Sequence, residues 1–281
     1  TEKGKRQKTD RRDAEQLARL HRSGDLRGIY IPDEADEAIR DLTRARSDVV
    51  DDVRRAKLRL KSFLLRQGFH YTGKANWSEK HRRYLRELKL PVPSLKAVLE
   101  EYLLMIDQAE KRLSNIDDLL AVQVRGWRMF PAVEALMCMR GIQLTAATVL
   151  IAEIGDIHRF RHPRQLMGFL GLVPLEKTTG NTRRIGSITK AGNAHARWMM
   201  IEVAQHALLP PKVSTQLSAR QEGQPQPYRD LAWQVQTRLH KRGWHLLQRK
   251  VMPAKVTVAL ARELTGFIWA MLKMVPEPKT A

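Results

Sequence analysis

Two groups of side chains in this 281-residue sequence could carry out chemistry, and the first is the pair Asp10 and Asp13 in the stretch KTDRRDA. Carboxylates three residues apart lie on one face of a helix and could hold a hard cation such as Mg²⁺ against a nucleic-acid phosphate. The same spacing is typical of a helix N-cap followed by an acidic first turn. Spacing alone favours the cap, and one carboxylate can cap the helix while the other binds the metal.

The second group lies in the stretch TTGNTRRIGSITKAGN, which is dense in hydroxyl groups and cations. A hydroxyl group could act as a nucleophile, and the cations could stabilise a phosphoryl transition state. Composition alone favours a polar loop that binds phosphate without catalysis. The candidate nucleic-acid contacts in and just after this stretch are Arg183, Arg184, Lys190 and Arg197.

A further candidate for phosphate contact is Gly141, in the sequence RGIQ between two apolar segments. The pattern is similar to a helix-hairpin-helix, in which the glycine turns the chain and directs backbone N–H groups at a phosphate. An ordinary two-helix corner, with Gly141 as a left-handed C-cap, is the alternative.

The charge of the chain indicates a polyanionic partner. Fifty Lys and Arg residues stand against thirty Asp and Glu, giving a formal net charge of +20 that is spread along the sequence. Nucleic acid is the usual partner of so basic a protein, because each neutralised phosphate releases counterions.

The remaining composition excludes several classes of protein. A single cysteine, Cys138, permits neither a disulfide framework nor a cysteine metal cluster within the chain. No apolar segment approaches the length of a membrane span. These features predict a protein of the reducing cytoplasm.

The elements that must position these residues are helices. A first helix is expected from about Arg11 to Ser23, with Gly24 as its stop signal. Two heptad patterns follow, one from Ile39 to Phe63 with Arg46 as its polar member, and one from Leu95 to Leu120. They predict either a helical hairpin within the chain or arms that pair between subunits. From about Phe130 the chain becomes more apolar and mostly helical.

Three ordered motifs resemble one known family. They are KTDRRDAEQLA, RGIQLTAATVLIAEIGDIHRFRHPRQLMGFLGLVP and TTGNTRRIGSITKAGNAHAR, and they span most of the chain. Together they are similar to the insertion-sequence one-ten family of DEDD transposases, which includes Piv-like invertases.

The resemblance implies a mainly α chain with three regions. Residues 1–30 would be the closing part of a RuvC-like, ribonuclease-H-type domain, 31–128 a coiled-coil arm region, and 129–281 a transposase-20-type domain. In the family four acidic residues bind Mg²⁺, and the last two lie in a K-x-D-x-x-D-A motif that Asp10 and Asp13 match. The first two are expected upstream of Thr1.

The resemblance also assigns a nucleophile, because the family's serine falls on Thr179, after the GLVP motif. It implies strand exchange between element ends and target DNA through a covalent protein–DNA intermediate, guided by a structured bridge RNA. Family members assemble as dimers or tetramers, and a nucleoid-associated bacterial protein is expected. The methyl group of Thr179 hinders in-line attack relative to serine.

Two other functions are compatible with the sequence. A non-catalytic nucleic-acid-binding protein, or a decayed transposase, would account for threonine at the nucleophile position. An invertase acting on one fixed locus would use the same chemistry on a different substrate.

Overall fold

The computed structural model describes residues 9–26, 30–179 and 182–277, which form two compact units, Thr1–Asp33 and Glu34–Ala281. Lys8 of the K-x-D-x-x-D-A motif and Gly180 of the TTG sequence lie outside the described residues. The region boundaries at residues 30 and 128 stay predictions.

Helices dominate the described residues, as the sequence predicts. They are α1 (Asp10–Arg22), α2 (Glu34–Arg66), α3 (Glu79–Glu87), α4 (Pro93–Arg125), α5 (Phe130–Met137), α6 (Leu144–Ile154), α7 (Pro163–Phe169), α8 (Ala194–Gln205), α9 (Thr215–Gln221), α10 (Gln226–Gln248) and α11 (Pro253–Met274). Two strands, β1 (Pro174–Thr179) and β2 (Thr182–Ile188), lie between α7 and α8. None of the helices in the described ranges has the length and apolar character that a membrane crossing requires.

The first unit contains α1, which matches the predicted first helix. Thr9 occupies the N-cap position with an extended backbone, and its side chain makes no capping hydrogen bond. Asp10 is therefore the first helical residue, and its interpretation as the N-cap is wrong. The predicted acidic first turn, with Asp10 and Asp13, is present. Gly24 follows the helix with a φ of 73°, the left-handed conformation of a helix stop.

The two heptad patterns form an antiparallel helical hairpin within one chain. Helices α2 and α4 pack side by side. The contacts show the antiparallel direction, because the partner in α4 comes earlier in the sequence as the residue in α2 comes later. The contacts include Arg46 with Asp117, Lys57 with Glu110, and Phe63 with Tyr102. The structure thus pairs the heptad seams within the chain, and Arg46, the polar member of the first seam, forms an ion pair across the hairpin.

Helix α3 covers the connected end of the helical hairpin, where α2 ends and α4 begins. Its Leu85 is fully buried against the apolar residues of α2 and α4. Arg82 of α3 donates two hydrogen bonds to the Glu110 carboxylate, at 2.8 and 2.7 Å, and Lys57 lies 2.6 Å from the same carboxylate. These contacts fix α3 to both long helices.

The largest apolar core lies among α5, α6, α7, α8, α10 and α11. Helix α6 is its centre, because every residue from Ala147 to Ile154 is buried. Ile39 of α2, and Leu120 and Val124 of α4, belong to the same core. The base of the helical hairpin is therefore continuous with the core that carries the candidate site.

Candidate functional site

The hydroxyl-rich stretch forms an antiparallel β-hairpin, so its interpretation as a loop is wrong. Strands β1 and β2 pair with Thr179 opposite Thr182 and Thr178 opposite Arg183. The threonine-rich β1 and the isoleucine-containing β2 suit a strand, although β2 is almost entirely exposed. Thr179 is exposed as the last residue of β1, which leaves its hydroxyl group open to a large substrate.

The two arginines of β2 have different surroundings. Arg183 forms an ion pair with Glu176, with 2.6 Å between Nε and Oε1. The hydrogen bond from Arg183 lowers the pKa of Glu176. Side chains alternate between the faces of a strand, so Arg184, paired with residue 177, lies on the face of Thr179, and Arg183 lies on the face of Thr178. Arg184 therefore shares a face with Thr179, and Arg183 does not.

Two glycine-containing segments, 169–173 and 189–192, pack against each other at the base of the β-hairpin, and this contact is here called the interlock. The N–H groups of Thr189 and Lys190 donate to the carbonyl groups of Val173 and Gly171, at 2.9 and 3.1 Å. A Cβ atom on Gly171 would lie 2.1 Å from the Ala191 carbonyl oxygen. This contact explains why the GLVP motif requires glycine and places it beside the KAGN sequence.

Gly192 completes the interlock from the other side. Its φ is 85°, and a Cβ atom there would lie 2.1 Å from the Phe169 carbonyl oxygen. Lys190, a predicted nucleic-acid contact, has a φ of 54° in the same turn. The turn therefore fixes the direction in which the chain leaves β2.

Arg197 lies beneath the interlock. It is half-buried, and its Nη1 donates to the Leu170 carbonyl at 3.1 Å and to the Ala191 carbonyl at 3.5 Å. These bonds satisfy carbonyl groups at the end of α7 and in the turn. The structure gives Arg197 this positioning contact, and its contact with nucleic acid stays a prediction.

A buried carboxylate, Glu153 of α6, lies at the centre of a polar network that sequence reasoning missed. Its side chain is 0% exposed. It accepts hydrogen bonds from Arg44 Nε at 2.8 Å, Arg44 Nη2 at 3.1 Å, Asn193 Nδ2 at 2.6 Å and His195 Nδ1 at 3.0 Å. The signal in the sequence was a single acid within the otherwise apolar stretch TAATVLIAEIG.

The surroundings of Glu153 favour its charged form. Burial by itself would raise the pKa, but hydrogen bonds from His195, Arg44 and Asn193, with the charge of Arg44, lower the pKa of Glu153 to about 2. The carboxylate is therefore ionised at neutral pH. It connects α2, α6 and the segment after β2.

Ser47, His195 and Glu153 form a chain of contacts that is similar in order to a catalytic triad. Ser47 Oγ lies 2.8 Å from His195 Nε2. It also lies 3.2 Å from the carbonyl oxygen of Thr43, which is one turn earlier in α2. Ser47 is half-buried, and its hydroxyl group donates a hydrogen bond to the Thr43 carbonyl, as serines within helices often do. The network is best described as an anchor for the β-hairpin.

Gly141 lies in a tight turn between α5 and α6, with a φ of 85°. A Cβ atom at Gly141 would lie 2.8 Å from the His206 side chain. Arg220 donates to the Ile142 carbonyl, and Gln221 Nε2 donates to the Cys138 carbonyl at 2.8 Å. The turn thus has a packing reason for its glycine, and phosphate binding there stays a prediction.

Asp10 and Asp13 share the first turn of α1, where Asp10 is exposed and Asp13 is half-buried. Two carboxylates at this spacing supply the oxygen ligands that Mg²⁺ prefers. Within the described ranges, no group of three or more His, Cys, Asp or Glu side chains is placed to hold a metal ion. The pair therefore fits part of a cation site.

Comparison with known proteins extends these observations. A family model described as the IS116/IS110/IS902 transposase family matches residues 133–217, and a DEDD transposase model of IS110 type matches residues 1–69. The candidate transposase y4qE of Sinorhizobium fredii is 39% identical over 96% of this chain and 66% of its own length. The transposase for insertion sequence element IS1533 of Leptospira borgpetersenii is 29% identical over 84% of this chain and 69% of its own length.

The chain thus spans about two thirds of the length of these relatives. The DEDD model and the IS116/IS110/IS902 model follow each other along the chain in the order of the sequence motifs, and the IS116/IS110/IS902 model covers the β-hairpin, the interlock and Glu153. This chain belongs to the IS110 family of insertion-sequence transposases.

Proposed function

We propose that this chain provides part of a DNA transposase that excises and inserts a bacterial insertion sequence by strand exchange. The observation that carries the proposal is the position of Thr179, exposed at the end of β1 on a hairpin whose base is fixed by the interlock. The family membership and the charge of +20 support DNA as the substrate.

In the proposed reaction Thr179 attacks a phosphodiester of the DNA. A bond forms between Thr179 Oγ and phosphorus while one phosphorus–oxygen bond to the neighbouring nucleotide breaks. The Thr179 hydroxyl group gives up its proton to water and the departing sugar oxygen takes one up, so no net proton is gained or lost. Arg184, on the same face of the β-hairpin, would stabilise the charge that develops on the phosphoryl oxygens. Arg183 would contribute less, because Glu176 already occupies its guanidinium group.

Asp10 and Asp13 would hold Mg²⁺ together with acidic residues from elsewhere. When bound, the ion would stabilise negative charge on phosphate oxygens. The two carboxylates would keep their side chains on one face of α1, at the N-terminal end where the helix dipole also favours negative charge. Asp10, as the more exposed of the two, would be the one nearer to the substrate.

A structured bridge RNA as the guide, assembly as a dimer or tetramer, and association with the bacterial nucleoid belong to the same proposal. The basic composition supports binding of both RNA and DNA. Lys190 and Arg197, at the base of the β-hairpin, and Gly141 are the further proposed nucleic-acid contacts.

The test is to trap a covalent protein–DNA adduct with the whole protein that the gene encodes. A DNA substrate with a nick near the cleavage position lets one strand diffuse away and leaves any protein–DNA adduct in place. We expect an adduct that Thr179→Ala abolishes and Thr179→Ser preserves or increases, because serine lacks the methyl group. Thr178→Ala is the matched control, since Thr178 is equally exposed but lies on the opposite face.

The competing function is non-catalytic binding of nucleic acid, as in a decayed transposase. Threonine in place of serine is the observation that favours it. Retention of DNA binding without any adduct, in both the unmodified protein and Thr179→Ser, would support the competing function and refute the proposed reaction.

A further inference from the structure

A cavity of about 580 Å³ lies beside the connected end of the helical hairpin, between α2 and the segment that leads into α3. Its walls carry six ring side chains, and four of them contact one another and are here called the aromatic cluster: Tyr71, Trp77, His81 and Tyr84. Cavities that hold small ring-containing ligands measure roughly 300–1,000 Å³. The volume is therefore suitable for an unpaired nucleobase.

The members of the aromatic cluster support one another. The ring of Tyr71 lies 4.5 Å from that of His81 and 5.2 Å from that of Tyr84, measured between centroids. Trp77 meets His81 edge to face at 5.3 Å. Tyr71, Trp77 and Tyr84 are only half-buried, so parts of three rings remain accessible. Accessible aromatic rings of this kind are where bases of single-stranded nucleic acid stack.

The backbone of Trp77 is in an uncommon conformation. Its φ is 66°, in the left-handed region that large side chains rarely adopt. The Trp77 N–H donates to His81 Nδ1 at 3.0 Å, and the next residue, Ser78, caps α3. Conformations of this kind persist where the surrounding structure enforces them, and they are concentrated at ligand sites. The fold thus holds the indole ring at the cavity wall.

His81 adds a hydrogen-bond donor to the cluster. Burial, together with the charge of Arg82, lowers the pKa of His81 and keeps the ring neutral at pH 7. Because Nδ1 accepts from Trp77, the ring proton lies on Nε2, which is the remaining donor of the imidazole. A nucleobase carries acceptors on its edge that such a donor can satisfy.

The surroundings of the cavity are cationic. Lys57 Nζ lies 5.0 Å from the centre of the Trp77 ring, and exposed Lys61 also lines the cavity. Lys57 is ion-paired with Glu110, and Arg54, a further lining residue, is ion-paired with Asp51 at 3.2 Å. From Arg66 to Lys89 the sequence contains seven Lys or Arg residues and two Glu. A strand whose base enters the cavity would bring its phosphates against this positive surface.

We propose that this cavity binds an unpaired nucleobase of single-stranded nucleic acid, with an adjoining phosphate against Lys61. The inference rests on the proposed action on nucleic acid, but it concerns binding and requires no strand exchange. The exposed side chains of Leu58 and Leu65 at the same cavity could instead contact a second copy of the chain. The excess of positive charge on this surface opposes such a self-contact.

The experiment compares two fluorescent oligomers that have the same number of phosphates, an oligodeoxyadenylate and an abasic chain. Fluorescence anisotropy gives the Kd of each for the unmodified protein and for Trp77→Gly. Glycine accepts a φ of 66° without strain, so this variant removes the indole ring while preserving the backbone. Leu104→Ala, which shortens an exposed apolar side chain of α4, is the matched control.

We expect Trp77→Gly to weaken binding of the oligodeoxyadenylate about tenfold, the effect of losing one base-stacking contact. Binding of the abasic chain should not change, and Leu104→Ala should change neither. Lys61→Met should weaken binding of both oligomers, because it removes a phosphate contact.

Equal loss of affinity for both oligomers in Trp77→Gly, or no loss for either, would overturn the inference. A change in the oligomeric state of Trp77→Gly, with unchanged oligonucleotide binding, would assign the cavity to a second copy and would also overturn it. Thr179→Ala should retain base-dependent binding, so failure of the proposed strand-exchange chemistry is distinguishable from failure at this cavity.

Discussion

Replacing Glu153 by Gln should destabilise the protein by an amount that depends on pH. The pKa of Glu153 is lowered from 4.5 to about 2. One pKa unit corresponds to ~1.4 kcal/mol, so the charged carboxylate contributes ~3 kcal/mol to the free energy of unfolding at pH 7. The Glu153 side chain is 0% exposed, whereas Arg44 is 48% exposed, and water at Arg44 makes this figure an upper value.

The sign of the pH dependence follows from the lowered pKa. The contribution is complete above about pH 4.5, the unfolded value, and disappears as the pH falls towards 2, the folded value. At pH 3.5 about 2 kcal/mol of it remains. Glutamine does not ionise, so the difference between the two proteins should decrease from ~3 to ~2 kcal/mol between pH 7 and pH 3.5.

Urea unfolding followed by circular dichroism measures both free energies, and an unchanged m-value shows that the same transition is compared. Glu202→Gln, an exposed position on α8, is the control and should differ from the unmodified protein by less than ~0.5 kcal/mol. A loss below ~1 kcal/mol at pH 7, or a difference that does not change with pH, would refute the account of Glu153.

Three further tests, two of them with a paired control variant, concern separate parts of the structure. Gly192→Ala should lower the free energy of unfolding by more than ~2 kcal/mol, because its Cβ would lie 2.1 Å from a carbonyl oxygen. Gly223→Ala, with a φ of 71° and open space, should cost only ~1 kcal/mol, and equal losses in urea unfolding would contradict the interlock. Leu85→Ala should cost ~2–5 kcal/mol by the same assay, because Leu85 is fully buried beneath α3; a loss under ~1 kcal/mol would mean that α3 is not anchored there. Arg184→Ala should reduce the yield of covalent adduct at least about tenfold, and Arg183→Ala should reduce it less; the reverse order would exclude the proposed face of the β-hairpin.

The helical part of the fold was predictable because it depends on periodicity. The heptad patterns predicted α2 and α4 and the apolar side of each helix, and the structure supplied the pairing within one chain. The β-hairpin was missed because its residues are polar on both faces, so the alternation that normally indicates a strand is absent.

The candidate site was predictable only in part. The motifs selected Thr179 and its neighbouring cations, but sequence alone could not separate Arg183 from Arg184, since that difference depends on the register of the two strands. Glu153 could be seen as an unusual residue, whereas its partners lie 40 to 109 positions away in the sequence and only the fold brings them together.

The partners of Glu153 also have a consequence for the synthesis of the chain. Arg44 leaves the ribosome long before α6, but Asn193 and His195 leave it about 40 residues after α6. Until then the carboxylate lacks two of its donors, and burying α6 is unfavourable because an incompletely paired charge would enter an apolar core. A nascent chain that ends between α6 and α8 should therefore keep α6 open to chaperones, and completion of the core should follow the emergence of the β-hairpin and the turn after it.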